Sequence, residues 1–288
     1  MAYNSSVMNE HQTTARPFDL VQPLHQAGPI VLASPHSGRD YAASFLVSAR
    51  LDATSLRRSE DAFVDELFAF APRIGVPLLA ARFPRAWCDA NREPWELDPG
   101  MFDTPLPSWV NVGSPRVAAG LGTIARVVSS GEPIYRNLLS FEEVQQRIRS
   151  CWEPYHAALA SLIAQTRAQF GSCLLIDCHS MPAHPPHALD PPDFVLGDAH
   201  GTTCAPQITR TVELELQSLK YRVRRNDPYA GGYITRYYGR PKESVHALQI
   251  EISRRLYLHE EAIRPNLSFP ILKSNLESIL RNILSTKW

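Results

Sequence analysis

The 288-residue sequence has no excess of either charge: Lys and Arg number 29 and Asp and Glu number 29, so the formal net charge is zero. No basic patch or polybasic run stands out, which argues against nucleic acid and against an anionic membrane surface as partners. No stretch of about 18 apolar residues is present, so no membrane-spanning helix is expected. The first residues, MAYNSSVMNEHQTTARPFDL, lack a charged segment followed by an apolar one and read as a polar tail over residues 1–20. Cysteine is scarce, with five residues and no Cys-x-x-Cys pair. That odd number points to reduced thiols in a cytoplasmic protein, and the lack of a Cys-x-x-Cys pair argues against a structural zinc site built on cysteine. Repeats and low-complexity tracts are also missing. Residues 21–288 therefore read as one domain with loop insertions, long enough to bury a sizeable core.

What the sequence does have is a series of short apolar runs that end in polar residues. Pro29–Ser34, Val76–Phe83, Ser172–Cys178, Asp193–Gly197, Tyr221–Asn226 and His246–Ser253 are the expected strands. Several are apolar on both faces, as in a sheet covered on both sides. Helical patterns lie between them. One is expected over Glu60–Arg73, capped by Ser59 and stopped by Gly75. A second, longer helix starts from the Ser140/Glu143 capping box, runs to about Phe170, and is kinked or divided at Pro154. Pro206–Leu219 and Leu272–Ser285 complete the set. The expectation is an α/β fold in three layers, with a mixed, mostly parallel central sheet flanked by helices. Long loops are expected at Glu93–Pro115 and Met181–Pro192.

Chemistry gathers where strands end, the usual ligand-binding side of such sheets. One apolar run leads to Ser34-Pro35-His36-Ser37-Gly38 and another to Asp177-Cys178-His179-Ser180. Two matching strand-end histidines suit a metal centre, which needs neutral imidazole or carboxylate donors. A carboxylate such as Asp177 can orient a ligating histidine, or point to the opposite face of the sheet. The third ligand is expected from Glu60 or Asp61, although acidic residues also favour helix starts for dipole reasons alone. In Leu248-Gln249-Ile250-Glu251-Ile252-Ser253, alternation puts Gln249, Glu251 and Ser253 on one face. A glutamate inside so apolar a strand needs compensation, either as a general base beside activated water or in a buried ion pair with arginine. Arg85 to Arg92 (RAWCDANR) offers guanidinium and amide groups for a carboxylate, or simply a surface loop with an Asp89–Arg92 pair. Gly231 and Gly232, in Asn226-Asp227-Pro228-Tyr229-Ala230-Gly231-Gly232, allow close backbone approach to a ligand, or an ordinary turn. His184, His187, His200 and His246 are further histidines, of which His200 is the most plausible addition to the site.

Seven segments in order, SPHSGRDY, EDAFVDELF, CDANR, LLIDCHSMP, DFVLGD, NDPYAGGYITRYYGRP and HALQIEISRRLY, span residues 34–257. Together they resemble the N-formylglutamate amidohydrolases. The resemblance implies a zinc-carboxypeptidase-like fold, distantly similar to aspartoacylases as well, holding Zn²⁺ or another divalent ion. It implies His36, Asp61 and His179 as ligands, with Glu60 the alternative carboxylate. Glu251 becomes the catalytic base, Arg85 a group polarising the scissile carbonyl, and Asn91 with Arg92 the substrate-carboxylate clamp. It further implies hydrolysis of N-formyl-L-glutamate to formate and L-glutamate in histidine degradation, with a small N-acyl amino acid as partner and a homo-oligomer left open. A deacylase of another N-acyl amino acid, a carboxypeptidase-like peptidase and a ligand-binding protein without activity are the alternatives. Two departures stand out. Zinc carboxypeptidases carry His-x-x-Glu, whereas Arg39 follows His36 at that spacing, and Ala90 replaces the leucine of the usual Asp-Leu-Asn-Arg.

Overall fold

The computed structural model describes residues 16–183 and 190–286. His184 and His187 lie outside them. Seven strands form the central sheet: β1 (Phe18–Val21), β2 (Ile30–Ser34), β3 (Leu78–Ala81), β4 (Cys173–Met181), β5 (Phe194–Gly197), β6 (Val223–Arg225) and β7 (Val245–Ser253), in the order β1-β3-β2-β4-β7-β5-β6. β3, β2, β4 and β7 run parallel; β1 and the β5–β6 pair run against them. The sheet is thus mixed and mostly parallel, as the run of strands and helices predicts. β1 was not anticipated. It is an edge strand that is only partly buried, so it carries no strong apolar run, and it brings the chain into the sheet within the expected polar tail.

The central strands are buried on both faces. Ile30, Leu32, Leu174, Ile176, Leu248 and Ile250 pack on one side, in a core with the helices Pro206–Ser218 and Phe269–Ser285. Val31, Ala33, Leu175 and Ala247 pack on the other, in a core with Glu153–Phe170. These are the three layers. All five cysteines are buried and unpaired. Among the described residues no helix is long and apolar enough to cross a membrane.

The expected helix over Glu60–Arg73 does not form. The chain instead makes a capped helix at Ala53–Arg57, a short one at Val64–Leu67 and a 3₁₀ turn at Ala71–Ile74. Asp52, not Ser59, provides the cap. The cause is tertiary. The Asp61 N–H donates to the His36 carbonyl (3.0 Å), and Phe63 takes a left-handed φ of 64°, so helical backbone cannot run through this point. The second long helix is divided as Pro154 requires: Phe141–Arg147 passes through a π-turn at Ile148–Trp152 into Glu153–Phe170. An extra residue in the turn absorbs the proline without ending the helix. Ser140 Oγ accepts from the Glu143 N–H (3.2 Å), but the Glu143 side chain turns to Arg147, leaving half of the capping box.

Candidate metal centre and active-site cavity

Register decides which polar side chains meet. In β4 and β7 His179 lies directly beside Glu251, and Asp177 beside Gln249. Alternation puts all four on the sheet face that carries Leu175 and Ala247 lower down. That face is apolar at the strand starts and polar at the carboxyl ends. β4 runs past the expected end at Cys178 to Met181, so His179 stands on a rigid strand instead of a loop. His36 follows β2 by two residues.

His36, Asp61 and His179 are buried together, with one ligand atom from each within 4.8 Å of the others. His179 Nδ1 lies 2.9 Å and His36 Nδ1 3.4 Å from the same oxygen, Asp61 Oδ2. The second nitrogen of each ring is held from behind. His36 Nε2 donates to Asp89 Oδ1 (2.7 Å), and His179 Nε2 lies 3.0 Å from both Asp177 Oδ1 and Asn91 Nδ2. The other Asp61 oxygen, Oδ1, accepts from Ser180 Oγ and from Arg254 Nη2, both at 3.3 Å. Oδ2 is thereby aimed at the imidazoles. Glu60 is buried too, but its carboxylate faces Arg57 (3.1 Å), so Asp61 is the acidic residue that reaches the histidines.

The electrostatics match this geometry. Burial works against the Asp61 charge, but the His179 and His36 imidazoles outweigh it and hold the carboxyl well below its ordinary value. Burial also works against a charged His179, and Asp177 and Asp61 together push it well above the usual imidazole range. The pocket therefore favours positive charge at the point where the two Nδ1 atoms meet Asp61. His36 Nδ1 is buried there without a hydrogen-bond partner. Two nitrogens and one oxygen, each ring backed by a carboxylate, are donors suited to a divalent ion of the Zn²⁺ type. Replacing Asp89 or Asp177 by Ala is expected to weaken Zn²⁺ affinity by about 10–100-fold while leaving all three donors in place. Competition with a chromogenic chelator measures this; undiminished affinity in both variants would contradict the backing role.

Around this centre is a cavity of about 450 Å³ lined by His36, Asp61, His179, Glu251 and several arginines. Burial pushes Glu251 up to about 7, the range in which a carboxylate can both take and return a proton near neutrality. Its Oε1 accepts from Gln249 Nε2 (2.8 Å), and among the described residues it makes no ion pair with Lys or Arg. Gln249 in turn accepts from the Gly232 N–H (2.8 Å), which ties the glycine loop to the glutamate. Arg85 lines the cavity and donates to Asp89 Oδ2 (2.8 Å).

Asn91 lines the cavity, but its amide is committed to protein. Oδ1 accepts from the Ile234 N–H (2.7 Å), and Nδ2 lies 3.0 Å from His179 Nε2 and donates to Asp177 Oδ2 (3.3 Å). Arg92 donates through Nε to the Leu121 carbonyl and through Nη1 to the Asn91 carbonyl, both at 2.8 Å. Among the described residues its Nη2 approaches no carboxylate closer than Asp89, at 4.0 Å. Gly231 has a φ of 114° and a β-carbon on Gly232 would sit 2.4 Å from Asn91 Nδ2, so both glycines are required by backbone shape and close approach. His200 is exposed and does not line the cavity. His246 lies at the start of β7, away from the site, and accepts from the Ala205 N–H.

Sequence reasoning treated Asp89 only as a possible surface pair, and did not single out Ser180, Gln249 or Arg254. Gln249 alone carried a usable signal, being two residues from Glu251 on the same strand face.

An α/β sheet with paired imidazoles, a carboxylate and a buried glutamate at its carboxyl edge is the arrangement of a metal-assisted hydrolase. The model of the family described as N-formylglutamate amidohydrolase matches residues 28–258. The chain belongs to that family. It is 32% identical over 239 residues to the N-formylglutamate deformylase of Pseudomonas aeruginosa, covering 81% of this chain and 84% of the relative. It is 30% identical over 274 residues to that of Pseudomonas putida, covering 91% and 96%. The crystal structure of N-formylglutamate amidohydrolase from Ralstonia eutropha JMP134 superposes with a TM-score of 0.87 at 39% identity, over 94% of this chain and 98% of that one.

Proposed function

We propose that this amidohydrolase cleaves the amide of N-formyl-L-glutamate to formate and L-glutamate, the reaction named for its relatives, as a step in histidine degradation in the cytoplasm. The observation that carries the reading is the convergence of His36, Asp61 and His179 beside Glu251 in one cavity. His36, Asp61 and His179 would hold a divalent ion, Zn²⁺ being the best match to two imidazoles and a carboxylate, which would supply Lewis acidity and lower the pKa of water. Glu251 takes a proton from the attacking water and returns it to the leaving amine nitrogen. Arg85 donates to the developing oxyanion, held in place by Asp89. The open edge of Arg92 binds the α-carboxylate, with Asn91 fixing the backbone behind it. Gly231 and Gly232 let the loop lie close to the substrate.

The test is a panel of N-acyl amino acids offered to protein stripped by chelation and restored with Zn²⁺. Formate release from N-formyl-L-glutamate, with restored activity and a kcat/KM well above that for N-acetyl and N-succinyl derivatives or short peptides, is the expected result. A preference for a larger acyl group, or for peptides, would replace this substrate by that one.

A further inference from the structure

The cavity carries more positive charge than its own acids neutralise. Five arginines line it, Arg85, Arg92, Arg116, Arg236 and Arg254, against three carboxylates, Asp61, Asp89 and Glu251. Three of the arginines are occupied. Arg254 holds Asp61, Ser180 and the Glu60 carbonyl; Arg85 holds Asp89; Arg92 holds two backbone carbonyls. Arg116 and Arg236 differ. Among the described residues neither side chain makes a hydrogen bond or ion pair, and both are exposed at the cavity wall. They come from separate segments, Arg116 from the short helix Pro115–Ala118 in the long insertion and Arg236 from Tyr233–Tyr238 behind the glycine loop. The Arg116 charge is felt at Arg92: burial first, then the charges of Arg85 and Arg116, hold the Arg92 guanidinium below its ordinary value despite Asp89. Like charges gathered in a cavity without a matching acid favour an anionic ligand.

Arg116 and Arg236 are the cavity's two unpartnered cations among the described residues, and a dicarboxylic N-acyl amino acid brings a second negative group besides its α-carboxylate. Arg92 takes one carboxylate on the proposed reading of this site, on which the present inference rests. We infer that Arg116 and Arg236 form the subsite for the second, side-chain carboxylate, and so make the enzyme selective for an acidic over a neutral side chain. The planar guanidinium fork suits a carboxylate. A neutral side chain leaves both arginines without a partner and gains nothing from them.

Arg116→Gln, Arg236→Gln and the two lysine variants are compared with the parent on N-formyl-L-glutamate and on N-formyl-L-glutamine, a neutral substrate of nearly equal size. Each glutamine variant is expected to lower the ratio of kcat/KM for the acidic over the neutral substrate by about tenfold or more, mainly through KM, with part of the ratio recovered by lysine. A second arm measures L-glutamate binding to the ion-free protein by calorimetry, with weaker binding expected in both glutamine variants. Ratios equal to the parent's, or equal losses on both substrates, would overturn the subsite, as would undiminished glutamate binding. A parent that hydrolyses neither formyl substrate yet binds L-glutamate less tightly after either substitution would sink the proposed reaction and keep the acidic subsite.

Discussion

Glu251→Gln is expected to lower kcat by about 10²–10⁴-fold with bound Zn²⁺ retained, the range lost when a positioned general base is removed. The substitution keeps size and shape and can still meet the Gln249 amide. What it removes is the group able to accept the proton of water and pass it to the amine. Glu251 does not belong to the His36, Asp61 and His179 cluster, so ion content should stay stoichiometric. Its carboxylate is also costly to keep: burial raises it to about 7, and the neutral amide relieves that cost. The variant should therefore be at least as stable to heat as the parent while nearly inactive. Single-turnover rates, ion content and a melting curve together check this. A variant that deformylates at the parental rate with its ion bound would remove Glu251 from the reaction.

Asp61→Asn carries the second large effect. The amide keeps the volume but loses the negative charge that faces two imidazoles at 2.9 and 3.4 Å. It also removes one of the two carboxylates that face Arg254, leaving that buried guanidinium only Glu260 at 3.4 Å among the described residues. Both changes oppose a bound cation. Zn²⁺ affinity is expected to fall on the order of 10³-fold or more, and activity with it, because a neutral amide is a poor replacement for an anionic ligand. Glu60→Gln is the matched control. It removes the neighbouring charge, which serves Arg57, and should leave ion affinity near the parental value. Equal losses in both variants would mean that general charge at this corner, not Asp61 itself, holds the ion.

Glu251 and Asp61 also differ in how far each could be read from sequence. Gln249 and Glu251 are two residues apart inside an expected strand, so their shared face follows from alternation; His179 lies just past the expected end of its strand, and the face it shares with Asp177 follows only from the extension of β4 to Met181. The apolar runs that became β2, β4 and β7 could be read for the same reason: a strand buried on both faces needs an unbroken apolar stretch. Asp61 is a different case. Local pattern assigned it to the first turn of a helix, where an acidic residue is ordinary. Its actual place depends on a hydrogen bond to the His36 carbonyl and on Arg254, 193 residues further along. Asp89 reaches His36 across 53 residues in the same way. Loop backbone has no period to read, and its conformation is set by such distant partners.

Glu251 with Gln249 beside it was therefore determined by sequence up to the face each side chain occupies, and His179 only as a residue at a strand's end. Tertiary structure alone decided that β4 and β7 are neighbours in the register that sets His179 beside Glu251. It alone turned Asp61, Asp89 and the arginines inward. Side-chain alternation is a property of each strand by itself, whereas register and loop placement depend on contacts between segments far apart in the chain.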